Sequence, residues 1–239
     1  MNNFLILLAA GKSSRFKDKQ KKQFIKINNK PLFTFSLDKF IKSGVINKYI
    51  IVLPKAEIKI IEKYLRENYK KLFESNKINL VIGGFERFDS VYRALCFIEN
   101  NFLINNELNV IIHDSARPFV DVNDIKKMSK LIKKYKSISL ACSVVDTLKI
   151  INKKSDVMIV KETINRDKIC SIKTPQGFNF KLLLSAYKNF ILNKKNIKIT
   201  DDLQIIENFS NKKSYLINSN PYNIKITNKE DLKLFKLFY

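Results

Sequence analysis

Short, continuously apolar runs alternate along this chain with longer segments whose apolar residues recur every three to four positions. Residues 4–8 are apolar throughout and run into Ala9-Ala10-Gly11. Such a run, ended by small residues, predicts a strand buried on both faces that opens into a loop. Pro31 at a first helical position, followed by a stripe of Leu32, Phe35, Leu37, Phe40 and Ile41, predicts a helix that Gly44 stops. Further strands are predicted at residues 49–53, 78–82, 110–113 and 138–145, with helices at residues 57–73, 90–102 and 123–135. This alternation implies an α/β fold, a Rossmann-like, mostly parallel twisted sheet with helices on both faces. Such sheets bind ligands at the carboxyl ends of their strands. Residues 147–173 break the rhythm, with strands at 148–152 and 157–165 around the turn-rich Lys153-Lys154-Ser155-Asp156. A two-stranded hairpin is marginal alone, so a protruding β-hairpin arm is expected to pair with a second copy of the chain. Helices at residues 180–192 and 201–209, strands at 214–217 and 223–227 and a last helix from Lys229 complete the reading. The 239 residues fit one domain, 1–239, with 147–173 as an arm subdomain for dimerisation.

Composition narrows the class. A hydrophobic fraction of 45% supports an ordered core. Residues 4–10 are too short an apolar run to cross a bilayer and follow no basic segment, so a soluble, cytoplasmic protein with no membrane partner is expected. Cys96, Cys142 and Cys170 are far apart and form no CxxC, which argues against a disulfide framework or a zinc site. The formal charge is +23, but lysine is spread over almost every segment and no nucleic-acid-binding signature accompanies it, so no nucleic-acid partner is expected. The scarce residues carry more information. There are six arginines (Arg15, Arg66, Arg87, Arg93, Arg117 and Arg166) and five glycines; four of the glycines and, with Arg166 on the arm, four of the arginines fall in the segments singled out here. His113 is the sole histidine, which excludes schemes that need several imidazoles.

The first of these segments is residues 8–16, Leu8-Ala9-Ala10-Gly11-Lys12-Ser13-Ser14-Arg15-Phe16, followed by Lys22-Gln23-Phe24. Small residues after a strand let backbone N–H groups approach phosphate oxygens. Arg15 and Lys22 add the cations that a triphosphate needs at its α-phosphate and leaving group. Neither GxxxxGK[ST] nor GxGxxG is present, and a solvated basic loop is the plainer alternative. Gly83-Gly84 suits either close approach to a base or ribose, or a strand-ending turn. Asp114 ends a buried strand, where a carboxylate is costly unless used or paired; helix capping is its other reading. His113 reads as a packed residue rather than a base. Thr200-Asp201-Asp202 reads equally as a helix cap and as a functional group.

Residues 8–16 resemble the N-terminal signature of nucleotidyltransferases that activate sugars and polyols, with the fold of the nucleotide-diphospho-sugar transferase type. Residues 83–91 (Gly83 to Val91), 113–118 (His113 to Pro118), Asp146-Thr147, 174–178 (Thr174 to Phe178), 200–202 and 223–227 follow in an order similar to that of the 2-C-methyl-D-erythritol 4-phosphate cytidylyltransferase family of the non-mevalonate isoprenoid pathway. The resemblance spans nearly the whole chain. It implies CTP and 2-C-methyl-D-erythritol 4-phosphate as substrates, with Mg2+ held mainly through the CTP phosphates and no metal ligand set in the protein. Arg15 and Lys22 match the pair that stabilises the transition state at the α-phosphate. Arg166 and Lys225 match the pair that positions the attacking phosphate, Arg166 lying on an arm that reaches into the partner's site. Arg117, Thr147 and Thr174 match residues around the erythritol phosphate. Ala9, Ala10, Gly11, Gly84, Ser90 and Ser115 match positions around cytosine, ribose and phosphates, and Asp114 matches an acidic residue near ribose and polyol. Phe85 departs from the pattern, standing where a polar, often acidic residue is expected near the base. A ribitol 5-phosphate acceptor is the nearest alternative, and a basic nucleic-acid-binding protein a distant one.

Overall fold

The computed structural model describes residues 2–13, 16, 21–154, 157–193 and 197–239. Strand β1 (Asn2–Leu8) leads through a 3-10 turn (Lys22–Phe24) and a small hairpin, β2 (Lys26–Ile27) and β3 (Lys30–Pro31), into α1 (Leu32–Ser43). There follow β4 (Lys48–Leu53), α2 (Ile58–Asn68), α3 (Lys70–Glu74), β5 (Ile78–Ile82), α4 (Arg87–Asn101), β6 (Leu108–Asp114), α5 (Val122–Tyr135) and β7 (Ser137–Ser143). The last third holds β8 (Lys149–Lys154), β9 (Val157–Thr163), β10 (Cys170–Asn179), α6 (Phe180–Leu192), α7 (Asp202–Phe209), β11 (Tyr215–Asn218) and α8 (Lys229–Lys236).

Seven strands form one sheet in the order β11-β7-β10-β6-β1-β4-β5. All neighbours run parallel except β10, which is antiparallel to both β6 and β7. Side chains alternate between faces along a strand, so β1 sends Phe4 and Ile6 to one core with α4, α6 and α7, and Leu5 and Leu7 to the other with α1 and α5. This is why β1 and β6 carry no polar alternation: both faces are covered. A third, smaller cluster of Phe16, Ile27, Leu32, Phe35, Ile226, Leu232 and Phe235 packs α8 and the segment before it against α1 and β2.

Several expected elements change shape. Pro31 is the N-cap of α1 rather than its first helical residue. The single helix expected over 57–73 divides at Tyr69, whose φ of −128° is not helical. Helix α4 starts three residues earlier than expected, where Glu86 and Asp89 satisfy each other's backbone N–H groups as a capping box. Residues 223–227 are not a strand. Their backbone bonds go elsewhere: the Ile226 N–H donates to the Ala116 carbonyl at 2.8 Å and the Asn223 carbonyl accepts from Arg117 at 3.0 Å. Strand β10 went unforeseen. Its register shifts between Ile172 and Gln176, where the cis Thr174–Pro175 bond lies. The hairpin β8–β9 forms as expected and its strands pair with each other outside the main sheet.

Candidate active site

The carboxyl ends of β1, β5 and β6 open onto a cleft of about 420 Å³. The described residues of the loop after β1 are braced by Gln23. Gln23 is buried, and its side-chain amide donates to the Ala9 and Gly11 carbonyls at 2.9 and 2.8 Å while accepting from the Ser13 hydroxyl at 2.9 Å. The Ser115 N–H donates to the Leu8 carbonyl at 3.1 Å and ties this loop to the end of β6. On the other rim the Gly84 N–H donates to Ser90 Oγ at 3.0 Å. A Cβ on Gly83 would lie 2.3 Å from that of Ala10, and one on Gly84 2.2 Å from that of Asp89. Gly83 is therefore demanded by packing between the two loops and Gly84 by the first turn of α4, whatever lies in the cleft.

Asp114 sits on the cleft floor. Lys225 Nζ donates to its Oδ2 at 2.7 Å, Arg87 Nε lies 3.5 Å from Oδ1, and Arg117 Nε lies 3.9 Å from Oδ2. Burial alone would push this carboxyl up; the three cations, Lys225 foremost, outweigh burial and hold it well below the usual carboxylate range. Burial pulls Arg117 below its ordinary value and Asp114 offsets this in part. Lys22 lines the same cleft, its Nζ donating to the Ile226 carbonyl at 2.6 Å. Lys22 and Lys225 thus converge on one cleft from positions 203 residues apart in sequence.

Of the residues singled out in the sequence, Ala10, Gly11, Lys22, Gly84, Ser90, Asp114, Ser115 and Lys225 line the cleft. Arg15 lies outside the described residues. Ala9 is buried in the core beneath the loop. Thr174 and Arg117 stand behind Asp114: Thr174 Oγ1 accepts from the Asp114 N–H at 3.1 Å, and Arg117 Nη1 donates to the Asn223 carbonyl at 3.0 Å. Thr147 and Arg166 are exposed at the base of the arm, away from this chain's cleft, with Arg166 donating to the Val145 carbonyl. Sequence reasoning passed over Gln23, the polar residue of a basic and aromatic run, and Arg87, whose rarity was its signal. It also paired Asp201 and Asp202, which the structure separates. Asp201 is the N-cap of α7, while Asp202 is fully buried and accepts from Arg87 Nη2 at 2.7 Å. Phe85 is exposed at the cleft mouth, and Lys12 Nζ lies 3.3 Å from its ring centroid.

A mostly parallel sheet whose strand ends open onto a cleft lined by two lysines and a buried carboxylate places the chain among the α/β nucleotidyltransferases. A family model described as 2-C-methyl-D-erythritol 4-phosphate cytidylyltransferase matches residues 4–238, and the chain belongs to that family. It is 37% identical over 231 residues to the 2-C-methyl-D-erythritol 4-phosphate cytidylyltransferase of Clostridium acetobutylicum, covering 96% of this chain and 94% of the relative. Its fold is similar to the crystal structure of the same-named protein of Francisella tularensis, with TM-score 0.80 and 29% identity over the whole of both chains. The 4-diphosphocytidyl-2C-methyl-D-erythritol synthase of Anaerococcus prevotii superposes with TM-score 0.80 at 28% identity, covering 99% of this chain and 95% of that one.

Proposed function

We propose that this chain transfers the cytidylyl group of CTP to 2-C-methyl-D-erythritol 4-phosphate in isoprenoid precursor synthesis. An acceptor phosphate oxygen forms a bond to the α-phosphorus, the bond from that phosphorus to the bridging oxygen of the β-phosphate breaks, and pyrophosphate leaves with the electron pair. The products are pyrophosphate and 4-diphosphocytidyl-2-C-methyl-D-erythritol. The observation that carries this reading is the convergence of Lys22 and Lys225 on one cleft in a member of this family. A phosphate monoester is already ionised at neutral pH, so the attack needs no general base. His113 is accordingly left to packing. Lys22, with Arg15, is assigned to the charge that builds on the α-phosphate, where a fixed cation acts by preorganisation. Lys225 is assigned to the acceptor phosphate.

Among the described residues no group of three or more acidic, histidine or cysteine side chains is placed to hold a metal. Asp114 Oδ2 already accepts from Lys225, and Oδ1 faces Arg87. That donor set fits a magnesium ion carried by the triphosphate oxygens, with Asp114 the carboxylate on the cleft floor. Bound there, magnesium would neutralise triphosphate charge while keeping several of its waters.

Thr147 and Arg166 point to a second reading of the arm. Exposed in this chain, they are assigned to the cleft of a partner, with β8–β9 as the dimer contact of a cytoplasmic homodimer. Exposed Val157, Met158, Ile159 and Val160 on β9 support that assignment, as apolar surface of this kind marks an interaction site. Among the described residues no helix is long and apolar enough to cross a membrane.

The deciding experiment measures pyrophosphate release from CTP and magnesium with methylerythritol phosphate, using ribitol 5-phosphate and the other nucleoside triphosphates as controls. Lys22→Ala is expected to lower turnover about 10²–10³-fold, as for loss of an oxyanion-type donor. Near-normal turnover in that variant rejects the assignment.

A further inference from the structure

Behind the cleft, α7 starts with a carboxylate that no part of the proposed reaction uses. Asp202 is completely buried, and three bonds hold it. Arg87 Nη2 donates to Oδ2 at 2.7 Å, the Tyr187 hydroxyl donates to Oδ1 at 2.6 Å, and its own N–H donates to Gln176 Oε1 at 3.0 Å. Gln176 is fixed in turn by donating to Asp201 Oδ2 at 2.9 Å. A planar guanidinium can serve two carboxylates at once, and Arg87 does: its Nη2 faces Asp202 while its Nε lies 3.5 Å from Asp114 Oδ1. Asp114 is thereby divided between its two oxygens. Lys225 takes Oδ2 and Arg87 stands at Oδ1.

The geometry points to Arg87 as a positioning residue that stays with Asp114 when Lys225 turns to the incoming phosphate, Asp202 and Tyr187 being the rear anchor that keeps Arg87 from following. The inference rests on the assignment of Lys225 to the acceptor. Its physical basis is the cost of leaving a buried carboxylate unpaired. Lys225 is the more exposed partner of Asp114, with a side chain 34% accessible, and a phosphate dianion entering the cleft competes with Asp114 for it. Without Arg87, Asp114 would have Arg117 at 3.9 Å as its remaining cation and would hold Lys225 back. With Arg87 in place the lysine can be released. Arg87 acts on the acceptor through Asp114 and Lys225.

The test compares wild type with Arg87→Lys, Arg87→Met and the double variant Arg87→Met/Asp202→Asn, in which the fully buried Asp202 is no longer left as an unpaired charge. Thermal melts establish that each is folded at the assay temperature. Calorimetry then gives the affinity for methylerythritol phosphate in the presence of a non-hydrolysable CTP analogue, and separately for the analogue alone. Arg87→Met and the double variant are expected to weaken acceptor binding about tenfold, a typical coupling between neighbouring charges, with the CTP analogue moving less than about twofold. Arg87→Lys, which keeps a charge at Asp114, is expected to recover most of the acceptor affinity. Equal losses for both ligands, or a folded double variant that binds the acceptor like wild type, would overturn the inference and leave the pair as a structural strut. A wild type that binds both ligands yet releases no pyrophosphate instead rejects the proposed reaction, and the affinities still decide the role of Arg87.

Discussion

His113 shows how a buried polar residue supports the cleft without entering it. The Arg117 carbonyl can only accept, so His113 Nε2, at 3.1 Å, carries the ring hydrogen. Nδ1 then accepts from the Thr174 hydroxyl at 3.1 Å, and Thr174 Oγ1 in turn accepts from the Asp114 N–H. One neutral imidazole therefore fixes the backbone on both sides of Asp114. Burial pushes its pKa down to about 3, and the opposing pull of Asp114 does not make up the difference. In the unfolded chain a histidine takes a proton near pH 6.5. Between those limits the unfolded state binds more protons, so stability falls as the medium is acidified from about pH 6.5, by up to about 1.4 kcal/mol per pH unit from this residue. Above that range His113 contributes no pH dependence. His113→Asn keeps one donor and one acceptor on a neutral side chain, but does not titrate. Urea denaturation at pH 7, 6 and 5 is expected to give the variant a shallower loss of stability than wild type. Parallel losses would show that His113 is protonated in the folded protein.

At the scale of elements, what could be read from the sequence follows from how each strand is covered. Strands β1, β4 and β6 were plain because both faces are buried and the apolar run is unbroken. Strand β10 was hidden by Lys173, Pro175, Gln176 and Gly177, which read locally as a turn. Its pairing with β6 and β7 is tertiary, and a Cβ at Gly177 would come within 2.4 Å of Ile132 Cδ1 and oblige that side chain to shift. Residues 223–227 failed in the other direction. They look like a strand but spend their backbone groups on Arg117, Lys22 and Ala116. In the candidate site the loop residues were legible because small and cationic side chains are conspicuous after a buried strand. The Arg87–Asp202 bond was not, since it joins positions 115 apart that no spacing rule connects. The arm was legible as an element, and its proposed use makes a prediction of its own. Met158→Lys with Val160→Lys places charges where the partner would bury them, which is costly, and is expected to convert a dimer to a monomer in sedimentation equilibrium. Mixed dimers of a Lys22→Ala protomer and an Arg166→Ala protomer should regain activity, because one of the two clefts then receives both an intact Lys22 and the partner's intact arm. No recovery on mixing would show that Arg166 does not work across the interface.

For the whole molecule the governing quantity is the formal charge of +23, and it acts in opposite directions on folding and on substrate capture. Like charges spread over the surface repel and oppose the compact state. The same field draws a triphosphate toward the cleft, adding to the local pull of Lys22 and Lys225. Salt acts on the two effects unequally. The Debye length shrinks from about 30 Å at 0.01 M to about 10 Å at 0.1 M, so repulsion between distant lysines and long-range attraction of CTP both fade over that range. Contacts within the cleft are far shorter: the Lys225–Asp114 bond is 2.7 Å, and screening reaches it least. Raising sodium chloride from 0.01 to 0.3 M is therefore expected to raise the melting temperature, to raise the KM for CTP several-fold through slower association, and to leave kcat nearly constant. Chloride suits this titration because phosphate or sulfate would compete for the cleft itself. A KM for CTP that stays flat while the melting temperature climbs would confine the charge to the energetics of folding and leave capture of the nucleotide to the cleft alone. A kcat that falls in step with the rise in KM would mean instead that the cations proposed to act at the reacting phosphorus are themselves open to the solvent.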